Sequence, residues 1–574
     1  MTTLAENFLR SREEIPHRIA LRLLEGDTAT ELDYAALLAG ATRCAGALGT
    51  AGIQPGEVVV IILEHGRDLV ESFLGAILHG AVPSIMPFLT EKLSPDRYQE
   101  SLVSLIGVTR PAALITYSAF EDRARSAAEG SSVRSVLLDR VISASGPAEP
   151  SSFSGPRRAP DDVALLQHSS GTTGLQKGVA LSHGAVLRQC HDYSAAVHLG
   201  LQDVVVSWLP LYHDMGLIAG FLLPLLTRVP LVLMSPFEWV RGPHRLFQAV
   251  SRYRGTLAWL PNFAFNFCAQ KLRDDDLAGC DLSSWRSVIN CSEPVRWKSH
   301  QLFSDRFRRF GLREEALATC YAMAENVFAV TQGGIDAPVV VDEIDLAELA
   351  GSGAARPVPA GEGYRMLSCG RPLADTEVRI LDVDQKPLPD RRLGEIALRS
   401  QCLLTGYYHR PDLTEQAFFE GWYRTGDLGY LADGELYVTG RRKELIIVGG
   451  KNVYPQDLEE LSGDVPGVHP GRVVAFGVFN ENQGTEDVVI VAEGDDPDPD
   501  ARRRMAEGIR SSVARGSDVV VRHVRVVDPR WLIKTSSGKL ARQANRDKYM
   551  GEMEDKPALP ERDLSAEQPM DRRR

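Results

Sequence analysis

The chain has 574 residues, of which 44% are hydrophobic and 24% are charged, and its formal net charge is −12. This composition excludes a chain that is disordered throughout, a collagen and a coiled coil, and no repeat of 20–50 residues is present. So acidic a chain is not expected to hold nucleic acid or anionic lipid by bulk electrostatics.

The cysteines and the apolar stretches bear on location. The eight cysteines are scattered without a CxxC pair, so no zinc site is predicted and a reducing, cytoplasmic location is indicated. The first 22 residues carry charges where a signal peptide has its apolar core. The most apolar stretch, 217–234, contains two prolines and an arginine, so we predict buried core there rather than a membrane span.

Up to about residue 370, short apolar runs alternate with helix-like segments. The runs predicted as strands are 57–63, 163–166, 204–208, 231–234 and 287–289, and the predicted helices include 69–79, 184–197 and 243–253. A loop rich in proline, serine and glycine is predicted over 143–161. Such alternation is typical of an α/β fold with mostly parallel sheets and flanking helices.

The pattern changes towards the C-terminus. A β-rich subdomain is predicted at about 370–440, with strands at 377–381, 395–399 and 435–439. A small α+β unit follows, with strands at 445–448, 473–476, 487–492 and 519–526 and a helix at 500–514. We therefore predict an N-terminal domain over 1–440, a C-terminal domain over 441–550 and a disordered tail over 551–574.

The strongest local motif is segment 167–178, where an apolar strand runs into a loop of serine, threonine and glycine that ends in a lysine. Small residues let backbone N–H groups approach phosphate oxygens, and hydroxyl groups add donors. The spacing differs from that of a Walker A loop. A plain surface loop is the alternative, and so dense a set of hydroxyls and glycines favours a phosphate site.

Other segments are weak signals when each is taken alone. His213 in an apolar stretch is more often a core residue, and Asp427 in a glycine turn is more often a turn cap. Glu325 fits a helix surface, the basic run 441–443 fits a solvated face, and Lys539 in a Ser/Gly loop would ordinarily be mobile. Their occurrence together and in this order favours a functional interpretation.

In this order the segments resemble the adenylate-forming ligases, the superfamily of acyl-CoA synthetases, luciferases and peptide-synthetase adenylation domains. The resemblance covers about residues 5–548, and it is strongest to the fatty acyl-AMP ligases. Four features carry it: the W-L-P-x-x-H-D-M-G-L stretch at 208–217, Glu-Pro-Val-Arg at 293–296, the stretches 452–459 and 469–472, and 44 residues between Glu325 and Gly370.

The resemblance implies a large α/β N-terminal domain with two sheet layers and a β subdomain, followed by a small mobile C-terminal domain. It implies a ligase that uses ATP and Mg²⁺ to convert a fatty acid to an acyl-adenylate. The acyl group would then pass to the phosphopantetheine thiol of a holo-acyl carrier protein. The alternative is an acyl-CoA synthetase, in which CoA is the acceptor.

Two further alternatives are weaker. An amino-acid adenylating enzyme usually has an aspartate in a Phe-Asp context, and here residues 212–214 read Tyr-His-Asp. A degenerate ligase acting as a sensor or scaffold usually loses the metal carboxylate or the C-terminal lysine, and both Glu325 and Lys539 are present.

The resemblance also implies residue roles. The implied catalytic residues are Lys539, Glu325 and Thr172, with Glu325 also holding Mg²⁺. The implied nucleotide-binding residues are Ser169, Ser170, Gly171, Thr172, Thr173, Gly174, Lys177, Ser292, Glu293, Tyr321, Ala322, Asp427 and Arg441. His213 and Asp214 would contact the acid, and Lys443 would be the hinge.

The sequence departs from the family pattern at two places. The usual Asn-Gly-Ala-Glu-Pro turn here contains Cys291 and Ser292, and the usual Tyr-Gly-x-Ala-Glu motif contains Ala322. An added Cβ narrows the adenine slot or alters the local backbone. The β-branched run at 338–344 is expected to dock on the N-terminal domain and to restrict closure of the C-terminal domain.

Overall fold

The computed structural model describes residues 2–89, 95–144, 158–169, 177–448, 451–480, 485–517, 519–535 and 538–554. Most of the predicted loop at 143–161 and nearly all of the predicted tail at 551–574 lie outside these ranges. The chain divides into two units, Met1–Leu445 and Ile446–Arg574. No helix among the described residues is long and apolar enough to cross a membrane.

The helices alternate with strands along most of the chain. They are α1 Leu4–Glu14, α2 Tyr34–Thr50, α3 Arg67–His79, α4 Pro95–Thr109, α5 Glu121–Ala128, α6 Asp139–Ala144, α7 His183–Ala196, α8 Leu223–Leu226, α9 Pro236–Arg241, α10 His244–Tyr253, α11 Asn262–Lys271, α12 Trp297–Phe307, α13 Leu346–Ser352, α14 Pro411–Ala417, α15 Pro455–Gly463, α16 Pro499–Gly516 and α17 Arg542–Glu554.

The strands of the first unit are β1 Ile19–Glu25, β2 Thr28–Asp33, β3 Val58–Ile62, β4 Val82–Ile85, β5 Ala113–Thr116, β6 Ser135–Leu138, β7 Val163–Ser169, β8 Lys177–Ser182, β9 Val205–Ser207, β10 Leu231–Met234, β11 Leu257–Leu260, β12 Ser287–Asn290, β13 Leu317–Ala322, β14 Ala329–Gly333, β15 Val341–Ile344, β16 Tyr364–Leu367, β17 Arg371–Pro372, β18 Thr376–Leu381, β19 Gly394–Ser400, β20 Gly406–Tyr407, β21 Phe418–Phe419, β22 Trp422–Ala432 and β23 Glu435–Arg441. Those of the second are β24 Ile446–Val448, β25 Lys451–Val453, β26 Val468–Asn480, β27 Thr485–Gly494 and β28 Val521–Val527.

Two large sheets form the layers of the first unit. One has the order β17-β14-β13-β12-β11-β9-β10-β1-β2, and the other has the order β20-β8-β7-β4-β3-β5-β6. The inner pairs are parallel, as for β12 with β11 and β3 with β4, whereas β2, β8 and β14 run antiparallel to their neighbours. Every residue of β3 is buried, as expected for a parallel strand covered on both faces. The predicted α/β class is confirmed.

The β-rich subdomain is a smaller antiparallel sheet. Its order is β18-β19-β22-β21, and β23 pairs with β22. Strands β22 and β23 form a long hairpin in which Asp427 lies opposite Arg441. This pairing places two predicted nucleotide-binding residues side by side at one end of the hairpin.

A separate element lies between β14 and β17. Strands β15 and β16 pair antiparallel, and α13 begins after Asp345, whose carboxylate accepts a hydrogen bond from the Glu348 N–H at 3.0 Å. We call residues 341–367 the β15–β16 segment. It buries Ile344 and Leu349 in one cluster with Tyr430 of β22. The expected docking of this part of the chain on the first unit is therefore confirmed.

The second unit has a three-stranded sheet in the order β26-β27-β28, and β24 pairs with β25. Helices α15 and α16 contribute Leu458 and Ile509 to a buried cluster on this sheet, whereas Tyr549 of α17 lies in a second cluster. The predicted helix at 500–514 is α16, and the predicted strand at 473–476 is part of the longer β26.

The predicted core at 217–234 is confirmed, and it contains a feature that the sequence pattern did not indicate. This stretch is buried, as predicted, but it begins within a π-helix, Met215–Leu222, that continues into α8. The sequence does not reveal a π-helix, because its i→i+5 hydrogen bonds leave an apolar pattern close to that of an α-helix.

Candidate active site

The predicted phosphate loop joins two antiparallel strands. Strand β7 ends at Ser169, which pairs with Lys177 at the start of β8. Because β7 runs parallel to β4, the loop leaves the carboxyl end of a parallel strand, where α/β folds usually bind ligands. The remaining predicted loop residues lie outside the described part of the chain; these are Ser170, Gly171, Thr172, Thr173 and Gly174.

Lys177 is half-buried at the end of this loop. Its Nζ atom lies 4.7 Å from the centre of the Tyr407 ring, a cation–π contact. Burial lowers the pKa of Lys177, and the nearby Glu325 carboxylate opposes that effect. The loop therefore ends in a cation that contacts an aromatic ring and is stabilised by a nearby carboxylate.

Glu325 lies in the 3₁₀ turn Ala324–Asn326, between β13 and β14. Its backbone carbonyl accepts a hydrogen bond from the Leu404 N–H at 2.8 Å, and its Oε1 atom accepts one from the Tyr407 hydroxyl at 2.9 Å. Burial raises the pKa of the Glu325 carboxyl. A nearby cation stabilises the charged form of a carboxylate that is kept away from solvent in this way.

A strained turn follows Glu325 immediately. Val327 has φ +60° and ψ −54°, and the Phe328 N–H donates to the Asn326 carbonyl at 2.6 Å. These values describe a classical γ-turn, which is rare, and a β-branched residue at positive φ is rarer still. Strain of this kind is concentrated at functional sites, which supports a functional role for the Glu325 turn.

The surroundings of Glu325 fit Mg²⁺ better than a metal held by protein side chains alone. Within the described ranges, no group of three or more His, Cys, Asp or Glu side chains is placed to hold a metal ion. Mg²⁺ is commonly bound by one or two carboxylates together with water and substrate phosphates. One half-buried carboxylate near the end of the predicted phosphate loop matches that pattern.

A second network lies around Asp427. Its Oδ2 atom accepts a hydrogen bond from the Tyr321 hydroxyl at 2.7 Å, and its Oδ1 atom accepts one from Arg441 Nε at 3.0 Å. Burial raises the pKa of Tyr321, so its hydroxyl stays protonated and donates. The Asp427 carboxylate in turn raises the pKa of Arg441. The structure thus brings together three predicted nucleotide-binding residues from β13, β22 and β23.

His213 and Asp214 lie where the π-helix begins. Their Nδ1 and Oδ1 atoms are 2.6 Å apart, and Asp214 Oδ1 also accepts from the Met215 N–H at 2.8 Å. Every residue of the π-helix is buried. Earlier in the same motif, Trp208 is buried and stacks on Trp239 with 3.5 Å between ring centres. This pair of polar side chains therefore borders an apolar region, as a site for an acid with an apolar chain requires.

The other predicted site residues of the first unit make contacts of different kinds. Ser292 has φ +68°, and its Oγ atom lies 3.7 Å from Met215 Sδ, at the start of the π-helix. Glu293 accepts a hydrogen bond from the Phe263 N–H at 2.8 Å, at the start of α11. Ala322 lies at the end of β13, beside an irregularity in its pairing with β14. The Glu293 carboxylate thus caps a helix, a contact that the sequence did not predict.

The hinge and the C-terminal lysine lie further along the chain. Lys443 is exposed in the turn Arg442–Glu444, just before the first unit ends at Leu445. Lys539 belongs to the second unit, where its N–H donates to Thr535 Oγ1 at 3.2 Å and its carbonyl accepts from the Thr535 N–H at 2.7 Å. The sequence predictions for both residues stay predictions.

Sequence reasoning missed two tyrosines of the site. Tyr407 contacts both Lys177 and Glu325, and its hydroxyl lies 3.0 Å from that of Tyr423. Tyr423 lies in β22, the strand that also carries Asp427. Tyr407 follows Gly406 in a short edge strand that pairs with β8, and nothing in the local sequence marks that pairing.

Comparison with known proteins gives consistent results. Residues 8–408 match the family model described as AMP-binding enzyme. A protein of Mycobacterium leprae with the provisional name fatty-acid–CoA ligase is 32% identical over 517 residues, which is 85% of this chain and 87% of the relative. A medium-chain-fatty-acid–[acyl-carrier-protein] ligase of Moorena producens is 30% identical over 524 residues, 87% of this chain and 86% of the relative.

A solved structure from a study of fatty acyl-adenylate ligases of E. coli and L. pneumophila agrees with these matches. It superposes with a TM-score of 0.88 at 27% identity, over 96% of this chain and 98% of that one. The resemblance inferred from the motifs is thereby confirmed. The family model covers well over half of the chain, and the chain belongs to the AMP-binding enzyme family.

Proposed function

We propose that this protein is an ATP-dependent fatty acyl-AMP ligase that passes its acyl group to the phosphopantetheine thiol of an acyl carrier protein. The observation that carries the proposal is the grouping of Lys177 and Glu325 around Tyr407, next to the loop that begins at Ser169. A cation and a half-buried carboxylate at a phosphate loop suit a nucleoside triphosphate with its metal.

The first half-reaction joins the fatty acid to AMP. A carboxylate oxygen of the acid attacks the α-phosphorus of ATP, and the bond to the bridging oxygen breaks, releasing pyrophosphate. Negative charge spreads over the phosphoryl oxygens in the transition state, so catalysis requires cations and donors placed around them. Lys177 fits the phosphates, the loop hydroxyls predicted from the sequence would add donors, and Lys539 would act at the bond that forms between the acid and the α-phosphate.

Other described residues fit the remaining parts of the substrates. The Asp427 carboxylate already accepts two hydrogen bonds, and its free lone pairs fit ribose hydroxyls as donors. Glu325 would hold Mg²⁺, which neutralises charge on the phosphates when bound. His213 and Asp214 border the apolar π-helix region and fit the entrance for the acyl chain.

The second half-reaction transfers the acyl group. The pantetheine thiolate attacks the acyl carbon, and AMP leaves with the electrons of the broken carbon–oxygen bond. CoA and a carrier protein present the same thiol, so acceptor choice depends on surfaces away from the reacting atoms. CoA brings its own nucleotide phosphates, whereas a carrier protein brings a folded domain.

The β15–β16 segment supports the carrier protein as acceptor. Its Asp342 is buried, and the carboxylate accepts hydrogen bonds from Arg391 Nη1 at 3.0 Å and from the Tyr430 hydroxyl at 2.9 Å. A buried carboxylate held by an arginine and a tyrosine is costly to release, because the partners would be left unpaired. The segment is therefore fixed on the β subdomain, where it would restrict closure by the C-terminal domain.

An acyl-CoA synthetase is the second candidate. The Mycobacterium leprae relative, named as a fatty-acid–CoA ligase, is as similar to this chain as the carrier-protein ligase of Moorena producens. Both candidates share the first half-reaction, so a test of adenylate formation does not depend on the acceptor.

The test of the shared step supplies ATP, Mg²⁺ and a panel of fatty acids without any thiol. We expect pyrophosphate release and acyl-AMP detectable by mass spectrometry, with at least 10²-fold less product from Glu325→Gln. Glu315→Gln, at an exposed position, is the matched control. Wild-type protein that forms no acyl-AMP with any acid of the panel would overturn the proposal.

A further inference from the structure

The loop that carries Lys539 is closed at its base by one buried side chain of α17. Asn545 has no exposed surface. Its Oδ1 atom accepts a hydrogen bond from the Ile533 N–H at 2.7 Å, and its Nδ2 atom donates to the Ile533 carbonyl at 2.8 Å and to the Ala541 carbonyl at 2.9 Å. The amide thereby bonds to both ends of the stretch 533–541.

Backbone contacts also join the two ends of the stretch 533–541, but less completely than the Asn545 amide does. The Ala541 N–H donates to the Ile533 carbonyl at 3.0 Å, and Lys534 and Leu540 form an isolated β-bridge. Inside this closure, Thr535 contacts Lys539 through both its backbone N–H and its hydroxyl. The position of the Lys539 backbone therefore depends on a narrow neck, both sides of which are bonded by the Asn545 side chain.

The residues on the N-terminal side of the neck are also fixed in place. The Leu532 N–H donates to Glu493 Oε1 at 2.8 Å, and Glu493 is only 1% exposed. On the helix side, Arg542 bonds to Glu459 at 2.9 Å and to the Ala475 carbonyl at 3.0 Å. Both flanks are tied to the body of the unit, and Asn545 connects one flank to the other.

We infer that Asn545 is a positioning residue for Lys539 in adenylate formation, an inference that rests on the proposed function. Asn545 touches neither substrate, and it acts by holding the neck of the loop. A lysine that meets a developing charge must be placed accurately, because a displacement of about 1 Å can cost about 10²-fold in rate. A buried asparagine with its acceptor and both donors engaged supplies that accuracy.

The test separates the two half-reactions. Lys539 is needed for adenylate formation, so Asn545→Ala should lower the rate of pyrophosphate release by about 10- to 100-fold. Transfer from supplied acyl-AMP to the thiol acceptor should stay within about threefold of wild type, which also reports that the second unit is folded. Adding Asn545→Ala to Lys539→Ala should cause little further loss, since both changes remove the same contribution.

Gln543→Ala is the control in the same helix, since Gln543 is exposed and bonds to Asp547. Equal slowing of both half-reactions by Asn545→Ala, or adenylate formation within twofold of wild type, would overturn the inference. If Asn545→Ala shows no cooperative thermal melt, Asn545→Ser replaces it under the same criteria. If neither variant folds, that result also counts against the inference. Wild-type protein without adenylate formation would instead refute the proposed function, and amide exchange at 533–541 would then still show whether Asn545 holds the loop.

Discussion

Tyr407 lies between Lys177 and Glu325, with its ring 4.7 Å from Lys177 Nζ and its hydroxyl 2.9 Å from Glu325 Oε1. One side chain therefore orients both the cation at the end of the phosphate loop and the carboxylate that fits Mg²⁺. Tyr407 comes from a short edge strand, β20, that pairs with β8, so this pairing also helps to assemble the site.

Tyr407→Phe keeps the ring contact with Lys177 and removes the hydrogen bond to Glu325. Because that bond lowers the pKa of Glu325, its loss should raise the pKa further and shift the acidic limb of the adenylation profile to higher pH. At neutral pH we expect a rate loss of about tenfold, in line with a hydrogen bond to a charged group. Pyrophosphate release as a function of pH and Mg²⁺ concentration is the measurement, with Tyr408→Phe as control. An unchanged profile would contradict the assignment.

Lys539→Ala should abolish adenylate formation while leaving the protein folded. The expected loss is about 10²–10³ in rate, because a point charge at a developing phosphoryl charge is removed. Thermal melting and pyrophosphate release are the measurements, and transfer from supplied acyl-AMP should persist. Adenylate formation within threefold of wild type would show that Lys539 lacks this role.

Lys443→Pro tests the hinge. Lys443 lies in a short turn just before the first unit ends, and proline would fix its φ near −65°. If one site serves both half-reactions, as proposed, a restricted hinge should slow one of them at least tenfold more than the other. Separate assays of adenylation and thiol transfer give the ratio, with Lys443→Ala as control. A ratio equal to that of wild type would argue against a hinge at this position.

Buried histidines should make the first unit sensitive to acid. Burial lowers the pKa of His300 to about 3 from 6.5, so the folded state binds fewer protons than the unfolded state between these values. The contribution of the neutral His300 ring to the free energy of unfolding is therefore complete well above pH 6.5, and it is lost as the pH falls. Between pH 6.5 and 5 the loss is about 2 kcal/mol.

His300→Leu should make the unfolding midpoint less dependent on pH over that range, with the remaining slope coming from the other buried histidines, His65, His168 and His183. His17→Asn is the matched control, because the His17 side chain is 88% exposed. The measurement is a set of thermal melting curves at pH 5, 5.8 and 6.5 for the wild type and the two variants. A wild-type midpoint that does not fall with acid, or a variant that keeps the full slope, would contradict the expected cost of charging His300.

Much of the fold follows from local sequence patterns. The apolar run at 57–63 is β3, and 231–234 is β10 without change, because buried parallel strands read as short apolar runs. The helix expected at 69–79 starts two residues earlier, at Arg67, after Gly66. Boundaries differ by one or two residues where end caps, rather than apolar spacing, decide them.

The candidate site was harder to predict, because its contacts join distant parts of the chain. Tyr321 bonds to Asp427 across 106 positions, and Tyr407 bonds to Glu325 across 82. Local spacing holds no information about such pairs, and the family resemblance supplied three of these four residues. Glu293 is a further case of the same kind: this residue with an implied nucleotide role caps α11 at Phe263, 30 positions earlier, and a motif does not reveal that contact either.

Asp342 fixes the β15–β16 segment, so a conservative substitution at this residue tests whether the segment determines the choice of acceptor. Asp342→Asn keeps the shape of the side chain and removes the charge that Arg391 pairs with. If the segment restricts closure, this change should raise acyl-CoA formation several-fold, and deletion of 339–355 should raise it further. The deletion also removes Ile344 and Leu349 from their cluster with Tyr430, so its melting curve must be compared with that of wild type.

The most direct test is a single-turnover competition for the acyl group. Enzyme loaded with acyl-AMP from ATP, Mg²⁺ and a fatty acid is mixed with equal concentrations of CoA and a holo-acyl carrier protein, and mass spectrometry follows both thioesters. We expect acylated carrier protein to form while acyl-CoA stays at least tenfold lower. Formation of acyl-CoA at a rate comparable to adenylation would contradict the carrier-protein account and establish CoA as the acceptor.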